Sequence, residues 1–219
     1  MNKSNIPEKK YAIKEAFYTL QGEGFHAGRP AVFLRFSGCN LWSGLEKDRE
    51  KAICQFCDTD FWGTDGLNGG KYSGKELVNM VANLWPDQPP EQKRFIVCTG
   101  GEPMLQLDTA LIDYLHRKNF EIALETNGTI EVPQSVDWVC VSPKAGAEVV
   151  QKSGNELKLV HPQPGIMPEN FNHWNFSHFY LQPMDGNFTE KNTGICLRYC
   201  LKNPKWNLSI QTHKILGIM

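Results

Sequence analysis

Three cysteines are the residues of this chain best suited to hold a reactive metal centre. Cys54 and Cys57 are separated by two residues, and a spacer of fourteen residues separates Cys39 from Cys54. Two thiolates at this spacing reach one metal centre from a single turn. Three thiolates leave one position open, whereas a closed structural zinc site takes four protein ligands. His26 and His213 lack metal-ligand spacing to the cysteines, so spacing alone favours neither zinc nor an iron–sulfur cluster.

Composition indicates a globular protein whose cysteines are reduced. The 219 residues carry a formal net charge of -1, which gives no strong field toward nucleic acid or membranes. The start is polar, without an apolar signal segment, and no apolar run reaches membrane-spanning length. We therefore expect a cytoplasmic protein with no membrane or direct nucleic-acid contact. Four cysteines in apolar surroundings are expected in the core: Cys98, Cys140, Cys196 and Cys200.

Short apolar runs alternate with longer amphipathic ones after a polar tail over residues 1–10. The short runs predict strands at Tyr11–Tyr18, Ala31–Ser37, Arg94–Cys98, Glu121–Glu125, Trp138–Val141, Glu156–Val160, Phe179–Gln182 and Leu208–Gln211. Helices are predicted at Gly74–Leu84, Thr109–Lys118 and Thr193–Asn203, with a short solvated helix at Glu46–Lys51. This alternation predicts an α/β fold, as a single domain over residues 11–219, with a largely parallel sheet and covering helices.

Polar segments rich in glycine or proline follow four of the predicted strands. They are Thr99–Pro103, Thr126–Thr129, Ser142–Lys144 and Pro183–Gly186. In barrels and open α/β sheets, the carboxyl ends of the strands are where binding sites form. Adjacent glycines at Gly100 and Gly101 allow a ligand to approach the backbone, and Glu102 can accept hydrogen bonds from an ammonium group. Four such segments on one edge predict a common site.

These segments carry a resemblance to known enzymes. Cys54-Gln55-Phe56-Cys57 and Thr99-Gly100-Gly101-Glu102-Pro103 resemble the radical S-adenosylmethionine (SAM) superfamily. Longer stretches closely resemble the 7-carboxy-7-deazaguanine synthase family, namely Phe17–Gly24, Gly38–Asn40, Phe56–Thr59, Glu125–Gly128, Ser142–Lys144, Gln182–Asp185 and Gln211–Lys214. Superfamily members usually have three residues between the first two cysteines. A subset of this family has the longer spacer, with Leu41-Trp42-Ser43-Gly44 after the first cysteine as here, and its extra length costs little closure entropy.

The resemblance implies an incomplete, TIM-like radical SAM barrel with a cluster loop over residues 38–60. It implies a lyase that contracts the ring of 6-carboxy-5,6,7,8-tetrahydropterin to 7-carboxy-7-deazaguanine and ammonia, toward queuosine in tRNA. The implied cofactors are a [4Fe–4S] cluster, SAM and Mg2+. The implied partners are the pterin, a flavodoxin-like electron donor and a second copy of the chain. A radical from SAM removes the first hydrogen, so no side chain is expected as a catalytic acid or base.

The same resemblance assigns the site residues. Cys39, Cys54 and Cys57 are expected to hold the cluster. Thr59 is expected to ligate Mg2+, unless its hydroxyl caps the following turn. The residues expected against SAM are Phe56, Cys57, Asp58, Gly100, Gly101, Glu102, Ser142, Pro143, Lys144, Gln182, Pro183, Met184 and Asp185. The residues expected against the pterin are Leu20, Gln21, Gly22, Glu23, Arg35, Thr99, His213 and Met219. Glu23 suits the amino and ring N–H groups, and Arg35 suits the substrate carboxylate.

Two alternative functions remain open at this point. A radical SAM activase, which forms a glycyl radical on a partner protein, would also need the three cysteines. The Leu20–Glu23 segment and the lack of further cluster cysteines count against it. A zinc-stabilised binding module would be colourless and would leave the segments at the strand ends without a purpose.

Overall fold

One nine-stranded sheet organises the fold, in a computed structural model that describes residues 8–87, 89 and 92–219. The strands are β1 Lys10–Leu20, β2 Pro30–Phe36, β3 Gly70–Ser73, β4 Arg94–Gly100, β5 Phe120–Thr126, β6 Trp138–Val141, β7 Ser153–His161, β8 Asn175–Pro183 and β9 Trp206–Leu208. The α-helices are α1 Gly74–Leu84, α2 Thr109–Arg117, α3 Thr189–Lys202 and α4 Thr212–Leu216. Short 3-10 helices occur at Glu46–Lys51, Pro103–Leu105 and Pro168–Phe171.

The strands follow the order β3-β1-β2-β4-β5-β6-β7-β8-β9. From β2 to β9 all neighbours are parallel, whereas β1 is antiparallel to both β2 and β3. The predicted α/β fold with a largely parallel sheet is therefore confirmed. Within the described residues the sheet is open, with β3 and β9 at its edges. Its description as a TIM-like barrel stays a prediction.

The two faces of the sheet differ in what they carry. On β4, Ile96 and Cys98 belong to the main core beneath the helices, while Phe95 and Val97 belong to a smaller cluster on the opposite face. Successive side chains of a strand point to opposite faces, which explains this split. The helices contribute fully buried leucines to the main core, such as Leu115 of α2. Burying a leucine contributes roughly 1.5–3 kcal/mol, so the helices are fixed mainly by this packing.

The segment between β1 and β2 folds back against the face of the sheet opposite the helices, near the amino ends of the strands. The Phe25 ring lies 4.8 Å from the Trp138 ring and 4.3 Å from the His178 ring. The Arg29 guanidinium donates two hydrogen bonds to the Glu121 carboxylate, at 2.9 and 2.8 Å. These contacts fix the course of the chain that follows β1, where several predicted site residues lie.

Some element boundaries differ from the sequence prediction. Helix α3 begins at Thr189 rather than at residue 193, because its first turn is polar and lacks the apolar periodicity used to find it. Strand β9 ends at Leu208 rather than continuing to residue 211. The strand β3 and the helix α4 were not predicted, since both are short and largely without buried apolar residues.

The predicted tail and one predicted core residue also differ from expectation. Residues 1–7 of the tail lie outside the described residues, while Lys9 forms an ion pair with Asp108 and Lys10 begins β1. Cys98, Cys140 and Cys196 are buried as predicted, but Cys200 is only partly buried because it lies near the end of α3. None of the helices in the described part of the chain combines the length and apolarity needed to span a bilayer.

Candidate functional site

A cavity of about 400 Å3 lies at the carboxyl ends of the parallel strands. Four strands each place a polar side chain at this edge: Arg35 on β2, Thr99 on β4, Glu125 on β5 and Gln182 on β8. The cysteine segment and the segment around α4 complete the wall. Regions far apart in sequence therefore meet at one concave site, which is where open α/β sheets bind their ligands.

The cavity brings most of the predicted site residues together. Those that line it are Leu20, Gln21, Gly22, Glu23, Arg35, Cys39, Cys54, Phe56, Cys57, Asp58, Thr59, Thr99, Gly100, Gly101, Ser142, Lys144, Gln182, Pro183, Met184, Asp185, His213 and Met219. Pro143 and Glu102 are not among the lining residues. Which of these residues touch a cofactor or substrate stays a prediction.

Glu102 lies behind the cavity wall. It is fully buried, and its carboxylate accepts hydrogen bonds from the Asn127 amide, the Thr126 hydroxyl and the Met104 amide at 2.8, 2.8 and 3.0 Å. Burial raises its pKa, while these hydrogen bonds oppose the rise. The carboxylate thus ties the end of β4 to the end of β5. Its expected hydrogen bond to an ammonium group stays a prediction, although the side chain already has three partners.

The three cysteines face the cavity close to one another. The Leu41 amide donates to the Cys39 sulfur at 3.4 Å, and the Cys54 amide donates to the Leu41 carbonyl at 3.3 Å. A hydrogen bond from Cys54 lowers the pKa of Cys57 to about 6, against the effect of burial. The same hydrogen bond, together with burial, raises the pKa of Cys54. One of the paired sulfurs is therefore favoured as a thiolate, which is the form that binds metal.

Gly101 allows the first cysteine to approach the strand ends. A Cβ at this position would lie 2.2 Å from the Gly38 carbonyl oxygen and 2.8 Å from the Cys39 Cβ. The Glu102 amide also donates to the Gly38 carbonyl at 2.9 Å. Because both obstacles lie on or next to the backbone, only glycine fits at residue 101 without displacing the cysteine loop.

The spacer between Cys39 and Cys54 is folded onto the cysteine segment. The Arg49 guanidinium donates to the carbonyls of Gln55 and Cys57 at 2.9 and 3.1 Å. It also lies 4.0 Å from the centre of the Trp42 ring, whose own indole packs edge-on against Phe61 at 5.4 Å. The solvated helix predicted at Glu46–Lys51 is a 3-10 helix, and its Arg49 side chain turns inward.

A buried lysine lies beneath the cavity and was not predicted as a site residue. Lys158 is 4% exposed, and its ammonium contacts the Glu23 carboxylate at 2.6 Å and the Glu125 carboxylate at 3.0 Å. Gln211 donates to Glu23 at 2.9 Å, and Gln21 donates to Glu125 at 3.2 Å. The sequence held one signal for this network, since charged residues at 156 and 158 alternate with leucines inside a predicted central strand.

The segment around α4 crosses the mouth of the site. The Lys214 ammonium bridges Asp58 and Asp185, at 2.6 Å to each carboxylate. The Thr212 amide donates to the Gly22 carbonyl at 2.9 Å. A Cβ on Gly22 would lie 2.2 Å from the His213 ring nitrogen Nδ1, so glycine is needed for this close approach. The bridge by Lys214 joins the cysteine segment to the end of β8.

Known proteins are similar to this chain in sequence over nearly its whole length. The chain is 60% identical over 209 residues to the 7-carboxy-7-deazaguanine synthase of Caulobacter vibrioides, covering 95% of this chain and 99% of that protein. This chain belongs to the 7-carboxy-7-deazaguanine synthase family. It is also 57% identical to the synthase of Bradyrhizobium diazoefficiens and 51% identical to that of Nitratidesulfovibrio vulgaris, again over 95% of this chain and 99% of each relative. The resemblance read from the sequence motifs is confirmed.

A solved structure agrees with the assignment to this family. QueE from Escherichia coli matches with a TM-score of 0.72 and 28% sequence identity, over 92% of this chain and 94% of that one. No protein-family model matches the chain. The fold and the 7-carboxy-7-deazaguanine synthase family are thus supported by independent comparisons of structure and of sequence.

The 7-carboxy-7-deazaguanine synthase family implies a [4Fe–4S] cluster and SAM, and the residues present fit both. Three cysteine sulfurs face one cavity, and the described residues contain no group of three His, Cys, Asp or Glu side chains that could hold a single metal ion. A cluster carries its thiolates on separate iron atoms, so its ligands need not converge on one point. Gly100 and Gly101 line the adjoining wall, and Gly101 lies directly against the segment of the first cysteine.

Several residues that line the cavity were not predicted from the sequence. Eight of them carry charged or amide side chains, namely Lys14, Glu15, Asp60, Glu125, Asn127, Lys158, Gln211 and Lys214. Glu125, Asn127, Gln211 and Lys214 lie inside motifs that carried the resemblance, so their positions were available as a signal. Lys14 pairs with Asp60 and Asp65 across the chain, a contact that no local pattern predicts.

Proposed function

We propose that this chain contracts the ring of 6-carboxy-5,6,7,8-tetrahydropterin to 7-carboxy-7-deazaguanine, with release of ammonia, toward queuosine in tRNA. One observation carries the proposal. The three cysteines, the glycine-rich end of β4 and the paired carboxylates Glu23 and Glu125 line a single cavity, in a chain 60% identical to a 7-carboxy-7-deazaguanine synthase. A site for a metal cluster therefore adjoins a site for a nitrogen-rich heterocycle.

Cys39, Cys54 and Cys57 would hold the cluster and leave one iron for SAM. When bound, the cluster and SAM supply the radical that removes hydrogen from a carbon too weakly acidic for a protein base. The protein's share is to hold the reactants and exclude water. Gly100 and Gly101 would let SAM reach the backbone, while Ser142 and Lys144 supply polar groups on the adjoining wall.

The pterin would lie over the face of the sheet opposite the helices. Its N–H groups suit the carboxylates of Glu23 and Glu125, both of which are already oriented by hydrogen bonds. Its carboxylate suits Arg35, whose Nε already donates to Glu15 at 2.8 Å. The rings of Phe17 and Phe33 are stacked 5.7 Å apart and supply an apolar part of the wall. This combination favours a flat, polar-edged ring with one acidic substituent.

Mg2+ is a further part of the proposal, with Thr59 as its ligand. Thr59 faces the cavity between Asp58 and Asp60, and Mg2+ favours a few protein oxygens completed by substrate oxygens and water. We expect Thr59→Ala to lose most of the stimulation of turnover by Mg2+ while the visible absorbance of the cluster is unchanged. Thr59→Ser keeps the hydroxyl and should retain the stimulation. Full Mg2+ stimulation in Thr59→Ala would rule out the assignment.

The deciding experiment is anaerobic reconstitution with iron and sulfide, followed by incubation with 6-carboxy-5,6,7,8-tetrahydropterin, SAM, dithionite and Mg2+. We expect ammonia and the deazaguanine to form in equal amounts. A cluster-loaded protein that yields neither product would refute the proposal, and a colourless protein that binds only zinc would favour a binding module. A flavodoxin-like electron donor and a homodimer are further proposals, tested by replacing dithionite with flavodoxin and by sedimentation.

A further inference from the structure

The buried ion-pair centre beneath the cavity has a feature that pterin binding alone does not require. Lys158 lies in the middle of β7, and its ammonium contacts the carboxylates of both Glu23 and Glu125, at 2.6 and 3.0 Å. It is only 4% exposed. Burying a lysine is costly unless opposite charges compensate for the lost hydration. One carboxylate would already balance the charge of Lys158, so the presence of a second carboxylate needs a separate explanation.

The two carboxylates are oriented from several sides. Glu23 accepts from Gln211 at 2.9 Å through the oxygen that does not contact Lys158. Glu125 accepts from Gln21 at 3.2 Å and from the Thr99 hydroxyl at 3.3 Å. The amide and hydroxyl donors fix the direction of each carboxylate, but they carry no charge. The charge balance between the two carboxylates therefore depends on Lys158.

Other titratable groups face this centre from the neighbouring elements. Glu156 on β7 and Cys140 on β6 lie close to Lys158, and His213 on α4 faces Glu23. Burial raises the pKa of both Glu156 and Cys140, which favours their neutral forms. Burial also opposes ionisation of Glu23, but the Lys158 cation outweighs it and lowers the pKa of Glu23 to about 2.

We propose that Lys158 is a positioning residue for substrate selection, which holds Glu23 and Glu125 ionised as a matched pair of acceptors. Together they would accept hydrogen bonds from a ring edge that carries amino and N–H groups. They would discriminate against an analogue with a carbonyl in place of the amino group. The inference rests on the proposed function, since it assigns these two carboxylates to the pterin. Lys158 itself acts through them.

Removing the Lys158 cation changes the protonation state of the carboxylate pair. In Lys158→Met, two carboxylates would share a buried site without a counter-charge, so one takes up a proton near neutral pH. A protonated carboxyl group would place its own O–H donor against the N–H donors of the pterin, so a hydrogen bond to the pterin would be lost. Binding of the pterin should therefore weaken about tenfold for each unit by which the pH falls below the pKa of the pair. With Lys158 present, affinity should stay constant from pH 6 to pH 8.

The test measures equilibrium binding of 6-carboxy-5,6,7,8-tetrahydropterin to the cluster-loaded protein by anaerobic calorimetry between pH 6 and pH 8. We expect about a tenfold weaker affinity for Lys158→Met than for the wild type at pH 6, with a clear recovery toward pH 8. Lys158→Met combined with Glu125→Gln removes the repulsion between the two carboxylates and leaves only the burial of Glu23, so its affinity should depend less steeply on pH than that of Lys158→Met. The preference for the pterin over its 2-oxo analogue should also fall in Lys158→Met.

A fold control separates this role from a merely structural one. Lys158→Arg keeps the charge and serves as a second variant if Lys158→Met does not fold, and its affinity should be reduced but independent of pH. An affinity of folded Lys158→Met that does not vary with pH would overturn the inference while leaving the proposed function intact. A pH-dependent affinity in Lys158→Arg would overturn it equally. If the wild type does not convert the pterin at all, the proposed function fails, and this inference falls with it.

Discussion

Arg49 offers the sharpest test of how the long spacer supports the cluster. Its guanidinium holds the carbonyls of Gln55 and Cys57 at 2.9 and 3.1 Å, and it stacks on Trp42. A hydrogen bond from a charged donor contributes about 1.5–3 kcal/mol. Because 27% of the side chain stays exposed, we take roughly 2 kcal/mol for the two bonds together. That free energy corresponds to about a 30-fold change in the population of the detached loop.

The perturbation is Arg49→Met, which keeps an unbranched apolar stem but removes the Nη1 hydrogen bonds to both carbonyls, the ion pair with Glu46 and the charge. We expect its reconstituted cluster to be lost to a chelator about 30-fold faster than that of the wild type. The assay follows the decay of the visible absorbance under anaerobic conditions with excess chelator. Lys51→Met is the matched control, since Lys51 is exposed on the same 3-10 helix and the structure records no hydrogen bond or ion pair for it among the described residues.

Arg49→Lys adds a second level to this test. In the wild type both carbonyls accept from one guanidinium nitrogen, Nη1, while Nε donates to Glu46. A lysine ammonium keeps the charge over Trp42 but has a single nitrogen for the carbonyls and for Glu46, so its rate of cluster loss should be intermediate. The reasoning would be refuted if Arg49→Met lost its cluster within twofold of the wild-type rate. It would also be refuted if Lys51→Met accelerated the loss as much as Arg49→Met, because net charge rather than the two hydrogen bonds would then be responsible.

Three further predictions concern the wall, the core and the acid stability of the protein. Gly101→Ala should reduce the iron bound after reconstitution, since the new methyl group would lie 2.2 Å from the Gly38 carbonyl oxygen. Leu115→Ala should lower the free energy of unfolding in urea by about 2–5 kcal/mol, because Leu115 is fully buried beneath the sheet. Burial opposes ionisation of Asp108, but hydrogen bonds from Lys9 and others hold its pKa below the usual range. Its stabilisation is therefore present above about pH 4 and lost below it, and Asp108→Asn should show a shallower loss of stability there.

Each of these predictions has a clear contrary result. Gly194→Ala places its methyl group only against the flexible end of Arg198, so an equal loss of iron in that variant would remove the steric argument for Gly101. A change below 1 kcal/mol for Leu115→Ala would mean that the core around α2 repacks. An unchanged slope of stability against pH in Asp108→Asn would mean that other carboxylates cause the acid loss.

The sequence predicted the parts of the fold that repeat a local pattern. Strand β6 and helix α1 were placed with their observed bounds, because β6 is a short continuous apolar run and α1 repeats its apolar residues at the 3.6-residue period of a helix. Strand β3 was missed, since Gly70–Ser73 has one buried residue and pairs with β1 far back in the chain. Pairing between distant segments leaves little trace in a short polar stretch.

The site was predicted unevenly for the same physical reason. Residues inside compact motifs, such as Cys57 and Gly101, line the cavity as expected. Glu102 lies in such a motif but is committed to Asn127 and Thr126 behind the wall, a contact between neighbouring strands that the motif does not encode. Lys158 was missed because a lysine in a strand reads as a solvent-facing residue until its two carboxylate partners are known.

The order of the strands implies a sequence of events in folding. Strands β4 to β9 pair in the order in which they occur in the chain, so this part of the sheet can grow by addition of each new strand to the last. The cavity instead needs the segment around α4 to return to β1, as in the hydrogen bond from the Thr212 amide to the Gly22 carbonyl. This short segment buries no residue of α4. It should detach without unfolding the sheet, and its amides should exchange with deuterium well before those of β4 and β5.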